Sequence, residues 1–316
     1  MSKIAFLFPG QGSQFAGMGR SLAEAHPEAA DIFAQADAAL EFPLSRLCFE
    51  GPEEELKQTE NTQPALLTVS IAAFSVLRKK GLTPDFVAGH SLGEYSALVA
   101  AGALDFADAV KLVRKRGRYM QEAVPQGVGA MAALLRLPEG KLEFVLKEAA
   151  EGEIVTAANI NSPDQIVIAG HSGAVSRAME LAKTHGAKRA ILLPVSAPFH
   201  SPLMKPAQER LKADLAAITF HDLSTPLVNN WQARLIETAE DAREGLFQQV
   251  PNPVRWSQSM QLLADQGVTR YIEVGAGAVL TGLLRGIFPA SDPPSYAAQK
   301  FGENKDLDAL SMAACG

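Results

Sequence analysis

Gly89-His90-Ser91-Leu92-Gly93 is the only Gly-x-Ser-x-Gly match in the chain, and it stands between two segments of opposite character. Before it runs the apolar stretch Phe86-Val87-Ala88. After it, Glu94-Tyr95-Ser96-Ala97-Leu98-Val99-Ala100-Ala101 reads as helix. A strand that turns at once into a helix across a serine is a nucleophile elbow, with glycines where a Cβ would obstruct the bend. Few folds meet that requirement, because a sheet must end where a helix begins, with the Ser91 hydroxyl raised at the sheet edge. Free amides at the helix N-terminus can also stabilise a developing oxyanion. The expected chemistry is acyl transfer through a covalent ester. The motif leaves the acceptor open, water or another group.

Strand and helix signals alternate through the first half. Residues 4–8 read as strand and lead into the turn-rich Pro9-Gly10-Gln11-Gly12-Ser13-Gln14, and helical patterns cover 21–40, 64–80 and 105–123. This order predicts an α/β fold with a hydrolase-like parallel sheet core. From residue 127 the order becomes β-α-β-β-α-β, with strands expected at 128–137, 154–158, 165–169 and 189–195. That is the order of a ferredoxin-like unit. Long helices with short strands at 227–229 and 270–274 follow. The expected organisation is a large α/β subdomain of residues 1–126 and 195–290, an inserted ferredoxin-like subdomain of 127–194, and a loosely held C-terminal tail of 291–316.

Composition removes several function classes. Hydrophobic residues make up 47% of the 316 and charged residues 20%, as in an ordinary globular protein. The apolar run at 4–8 is too short for a secretion signal, and no stretch is long and apolar enough to span a bilayer. Two cysteines, Cys48 and Cys315, make neither a disulfide framework nor a metal cluster, which points to a reducing cytoplasm and no bound metal. A net charge of −6 argues against nucleic-acid binding, and an acidic protein partner would have to dock on a local basic patch.

A serine hydroxyl is a weak nucleophile and needs a base within hydrogen-bond reach. Of six histidines, His26 reads as a surface residue and His90 points away from Ser91 across the bend. His171 precedes a helix start, His185 suits a helix C-terminus, and His221 lies in a polar connection. His200 differs. Pro198-Phe199-His200-Ser201-Pro202 frames it with prolines just after a strand end, and a stiff loop suits a general base. A third member is open. Glu273 is either a triad acid or a buried cap of the Gly275-Ala276-Gly277 turn, and a dyad oriented by a backbone carbonyl is the alternative.

Five segments occur in order: Phe8-Pro9-Gly10-Gln11-Gly12-Ser13-Gln14, Gly89-His90-Ser91-Leu92-Gly93-Glu94, Asn159-Ile160-Asn161-Ser162-Pro163, Ala197-Pro198-Phe199-His200-Ser201 and Pro253-Val254-Arg255-Trp256. Over roughly residues 3–288 the chain closely resembles the bacterial malonyl-CoA:acyl carrier protein transacylases of fatty acid synthesis and, more distantly, polyketide synthase acyltransferase domains. The resemblance implies a ping-pong enzyme in which Ser91 takes malonyl from coenzyme A and passes it to a phosphopantetheine thiol, with His200 as base and acid. It implies that Gln11 and Leu92 give backbone N–H groups to the oxyanion hole. The Gln249 carbonyl would orient the histidine, and Gln63 and Asn161 would lie near the acyl pocket. Malonyl-CoA and acyl carrier protein are the implied partners, coenzyme A is a substrate rather than a bound cofactor, and the family suggests a monomer.

Arg116 carries the expected specificity. By default the run Arg114-Lys115-Arg116-Gly117-Arg118 is a solvated helix face. The resemblance implies instead that Arg116 grips the free malonyl carboxylate bidentately, and an acyl group without one would leave the guanidinium unpaired. Phe199 resembles the bulky residue of malonyl-selective relatives and would crowd an α-methyl. The competing readings are a serine esterase or thioesterase of α/β-hydrolase type and a non-catalytic carrier-binding module. The first departs from the observed order, since such enzymes place the acid before the histidine and the histidine near the C-terminus. Lys188-Arg189, Lys205 and the 114–118 cluster are candidates for meeting an acidic carrier.

Overall fold

A computed structural model describes residues 2–195, 197–288, 290 and 295–312. Its main sheet has six strands: β1 (Lys3–Phe8), β2 (Phe86–Gly89), β7 (Leu227–Val228), β8 (Leu235–Ile236), β9 (Val268–Val274) and β10 (Ala297–Phe301), in the order β10-β9-β1-β2-β7-β8. All neighbours are parallel except β7 and β8, a short antiparallel edge pair. The central strand reads Ile-Ala-Phe-Leu-Phe, an unbroken apolar run, because both faces of a parallel sheet are covered by helices. One covering helix, Thr59–Lys79, is buried through nearly all of its first fifteen residues. Phe6 and Phe8 face its side of the sheet, and Ala5 and Leu7 pack with Trp256, Met260 and Leu284 on the other.

The second sheet comprises β3 (Gly129–Leu135), β4 (Val155–Ser162), β5 (Gln165–His171) and β6 (Arg189–Leu192), antiparallel throughout, in the order β4-β5-β3-β6. Helices Leu142–Ala150 and Ser172–Thr184 complete the β-α-β-β-α-β chain order and share one apolar cluster with its strands. The opposite face contributes Met131, Ala133, Ala158 and Val167 to the main core. A backbone stitch fixes the two sheets: Ile160 N–H donates to Val254 O at 2.9 Å and Val254 N–H to Ala158 O at 2.9 Å.

Two local expectations are corrected. The helix expected over 21–40 is two helices, Arg20–Ala25 and Pro27–Leu40, because His26 precedes a proline and is driven to extended backbone (φ −134°, ψ 113°). The C-terminal segment is not loosely held over its described residues. β10 extends the main sheet, Phe301 is completely buried, and Glu303 and Asp306 form a capping box for the turn that follows. Gln299 Nε2 ties the last helix back by donating to Ala309 O at 3.0 Å. Residues 291–294 and 313–316 of the expected tail lie outside the described residues. Among the described residues, no helix is long and apolar enough to cross a membrane.

Phe301→Ala should therefore destabilise the protein by about 3–5 kcal/mol in a denaturant titration, the usual cost of emptying a core phenylalanine site. A loss under about 1 kcal/mol would mean that β10 adds nothing to the core.

Candidate active site

The elbow is a point of contact between backbones. A Cβ on Gly89 would stand 1.9 Å from Gly93 O, and one on Gly93 would stand 2.0 Å from Phe8 O. Only glycine lets helix Leu92–Ala100 start this close to β1 and β2. Between them Ser91 adopts φ 51°, ψ −104°, a strained conformation of order 1–3 kcal/mol for a residue with a Cβ. Distant side chains hold it there. Asn230 Oδ1 accepts from Ser91 N–H at 2.7 Å, Gln249 Nε2 donates to Ser91 O at 3.0 Å, and Asn230 Nδ2 donates to Gly89 O at 2.7 Å.

His200 Nε2 lies 2.7 Å from Ser91 Oγ, and its Nδ1 lies 2.9 Å from Gln249 O. A carbonyl only accepts, so Nδ1 carries the proton and the Nε2 lone pair faces the hydroxyl. Burial, reinforced by the Arg116 charge, lowers the His200 pKa to about 3. The ring is therefore neutral, as a base must be before reaction. The open question of a third member is resolved by Glu273. Its carboxylate accepts from Leu280 N–H (3.0 Å), Thr281 N–H (2.8 Å) and Thr281 Oγ1 (3.0 Å), so it caps helix Val279–Ile287. The group that orients His200 is a backbone carbonyl.

Arg116 departs from the solvated-face default. Its neighbours conform to it: Lys115 pairs with Asp214 at 2.6 Å, and Arg114 stacks over the Phe42 ring. Arg116 itself is 1% exposed. Helix Phe106–Glu122 lies so close to Thr59 that a Cβ on Gly117 would stand 2.5 Å from Thr59 O, which keeps this turn out of water. Arg116 Nη1 donates to Gln63 Oε1 at 2.7 Å, and Nη2 to Gln249 Oε1 at 2.8 Å and Ser91 Oγ at 3.2 Å. The Tyr95 ring lies 5.2 Å from the guanidinium carbon. No carboxylate comes within ion-pair distance among the described residues. This is a buried cation held by neutral amides.

Ser91, His200 and Arg116 open onto a cavity of about 450 Å³ that Gln11, Leu92, Gln63 and Phe199 also line. The Gln11 loop is shaped by Ser13 Oγ donating to Gly10 O at 2.8 Å, and Gly10 is compelled by His90 O, which a Cβ would approach to 2.4 Å. Neither the Gln11 nor the Leu92 amide donates to another described residue. Asn161 requires a correction, because the cavity wall is formed by Asn159. Asn161, two residues along β4, accepts from His90 Nε2–H through Oδ1 at 2.8 Å and donates from Nδ2 to Gln165 Oε1 at 3.0 Å, so it fixes His90 from behind. Among the described residues, no three His, Cys, Asp or Glu side chains cluster as a metal site would require.

Three polar residues of the centre carried no role in the sequence reading. Asn230 and Glu94 belong to the network behind Ser91, and Asn159 faces the cavity. Glu94 follows the elbow directly, a detectable position, whereas Asn230 carries no local signal. NMR of the imidazole nitrogens should find His200 neutral with its proton on Nδ1 down to about pH 5. Since its folded pKa lies below the ordinary 6.5, His200 costs stability as pH falls from that value toward about 3. A His200 ring protonated at about pH 6 would contradict the burial argument.

The acyl transferase domain family model matches residues 5–298. A malonyl CoA-acyl carrier protein transacylase of Bacillus subtilis is 52% identical over 315 residues, covering 97% of this chain and 99% of that protein. An acyl carrier protein S-malonyltransferase structure from Vibrio cholerae superposes with a TM-score of 0.94 at 44% identity, over 98% of this chain and 100% of that one. A malonyl-transacylase solved in complex with a type II polyketide synthase acyl carrier protein superposes at 0.93 with 45% identity, over 98% of each. The chain belongs to the acyl transferase family, among the malonyl-CoA:acyl carrier protein transacylases.

Proposed function

We propose that this enzyme moves a malonyl group from coenzyme A to the phosphopantetheine thiol of an acyl carrier protein through a malonyl-Ser91 ester. One observation carries the choice of acyl group: a buried guanidinium without a carboxylate partner lies 3.2 Å from the nucleophilic oxygen. A dicarboxylic thioester supplies the missing anion. Its free carboxylate replaces the Ser91 Oγ contact of Arg116 with a charge-assisted, bidentate pair, while Gln63 and Gln249 keep the fork oriented.

In the first half-reaction, His200 Nε2 takes the Ser91 proton as Oγ attacks the thioester carbonyl. The oxyanion is received by the Gln11 and Leu92 amides, each worth about 3 kcal/mol in such sites. Collapse breaks the carbon–sulfur bond, and His200 returns the proton to the departing coenzyme A sulfur. In the second half, the carrier thiol gives its proton to His200 and attacks the ester, and Ser91 leaves and is reprotonated. The Gln249 carbonyl stabilises the imidazolium in both halves. Coenzyme A enters as substrate, no resident cofactor is needed, and one copy of the chain supplies every group named. Phe199, at the cavity wall, crowds the space of an α-methyl and favours malonyl over methylmalonyl.

We also read residues 127–194 as a ferredoxin-like subdomain inserted into the large α/β subdomain, a reading supported by strand order and helix placement. Its outer strand and the residue before it place Arg189 and Lys188 on a groove of about 430 Å³ that Arg136 and its ion-pair partner Asp164 also line. Lys188 and Arg189 are better placed for an acidic carrier than the 114–118 run, which is committed to Arg116 burial, the Lys115–Asp214 pair and ring contacts.

Arg116→Ala should lower malonyl transfer by about 10²–10³-fold and raise the relative use of acetyl-CoA. An unchanged malonyl-over-acetyl preference would overturn the assignment. Labelled malonyl-CoA should leave a stable label on Ser91 that moves to a thiol acceptor. Rapid release of free malonate would show hydrolysis instead, and the absence of label would show a binding module.

A further inference from the structure

Glu94 is an ionisable group of this centre that the transfer steps leave unused. It lies in the first turn of helix Leu92–Ala100 and has no exposed surface. Its Oε2 accepts from Gln249 Nε2 at 2.8 Å and from Asn230 N–H at 3.0 Å. Its Oε1 has no partner among the described residues and faces Gly245, where a Cβ would stand 3.6 Å away. The same Gln249 carboxamide turns its Oε1 to Arg116 Nη2. One neutral amide thus bridges a buried carboxylate and a buried guanidinium that do not touch.

The group that acts on Glu94 by charge is Arg116; the adjacent Tyr95 phenol, its pKa pushed up to about 12 by burial, is neutral, as are Asn230 and Gln249 packed on it from the other elements. In the free enzyme, the ionised form of Glu94 offsets part of the Arg116 charge across the amide without touching it. An arriving malonyl carboxylate places a second negative charge on the same buried guanidinium. Two anions around one buried cation cannot both remain ionised without a large electrostatic cost. The malonyl carboxylate meets Arg116 directly, and Glu94 only through Gln249, so Glu94 is the one that yields.

We propose that Glu94 is a positioning acid that takes up a proton from solvent as malonyl is loaded onto Ser91 and releases it when malonyl leaves. The inference rests on the reading that Arg116 holds the acyl carboxylate. The proton goes to Oε1, the oxygen without donors, so that Oε2 keeps both of its hydrogen bonds and the Gln249 amide does not move. Burial already holds the Glu94 pKa at about 7, above the usual carboxylate range, so the free enzyme is poised to accept it.

The test is proton stoichiometry. The full chain is loaded from malonyl-CoA without carrier, protons are counted by calorimetry in two buffers of different ionisation enthalpy, and Ser91 occupancy is read by intact mass. Exchanging thioester for ester releases no net proton near pH 7, since the freed thiol keeps its own. Wild type should take up about half a proton per malonyl at that pH. Acetyl loading should take up none, and Glu94→Gln, scored only on the fraction that intact mass shows loaded, should take up none per malonyl. Should that variant fail to fold, infrared difference spectra of wild type decide. Loading should create a protonated-carboxyl band that shifts with ¹³C-glutamate. Malonyl loading without uptake, uptake retained in Glu94→Gln, or a spectrum without that band would overturn the proposal. A chain whose Ser91 is never loaded would overturn the functional reading itself.

Discussion

A guanidinium withdrawn from water and left without a counter-ion beside it is the constraint on which the rest of this centre depends. Removing a charge from water costs several kcal/mol even after relaxation, and Arg116 meets that cost with two amide oxygens, a serine hydroxyl and an aromatic ring. None of these neutralises it. Its field reaches further than its contacts. It helps to keep His200 neutral and opposes the effect of burial on Glu94.

Gln249 converts that constraint into geometry. It is the last residue of helix Ala239–Gln249, where carbonyls lack intrahelical donors, so its backbone oxygen is available to His200. Its side chain reaches Arg116, Ser91 O, Glu94 and Asn230. A single residue at a helix end thereby sets the tautomer of His200, the orientation of the Arg116 cation and the strained backbone of Ser91. The fold supplies the framework: parallel strands that deliver Ser91 to the sheet edge, and a second sheet, stitched in at Val254, that forms the facing wall with Met131 and Asn159.

What was legible in the sequence follows from this. Strain at Ser91 leaves glycines at 89 and 93, and a stiff loop leaves prolines around His200, so both were recognisable from local chemistry. Gln249 and Arg116 took their roles only from family resemblance, because nothing within a few residues distinguishes an inward-facing arginine from its solvated neighbours. Asn230 lies 139 residues from the serine amide that it accepts from, a relation made by tertiary packing alone. Asn159 and Asn161 share a strand and a residue type, and only the approach of β4 to His90 assigns one to the cavity and the other behind it. The β10 strand escaped notice because one residue, Phe301, carries its completely buried contribution.

The most direct test of this account is a crystal structure of the malonyl-Ser91 intermediate, trapped without carrier. The account predicts both free carboxylate oxygens within about 3 Å of the Arg116 fork, with Gln249 still bonded to His200 and Glu94. A malonyl carboxylate turned toward the cavity mouth, with no oxygen of it within hydrogen-bond reach of Arg116, would contradict it.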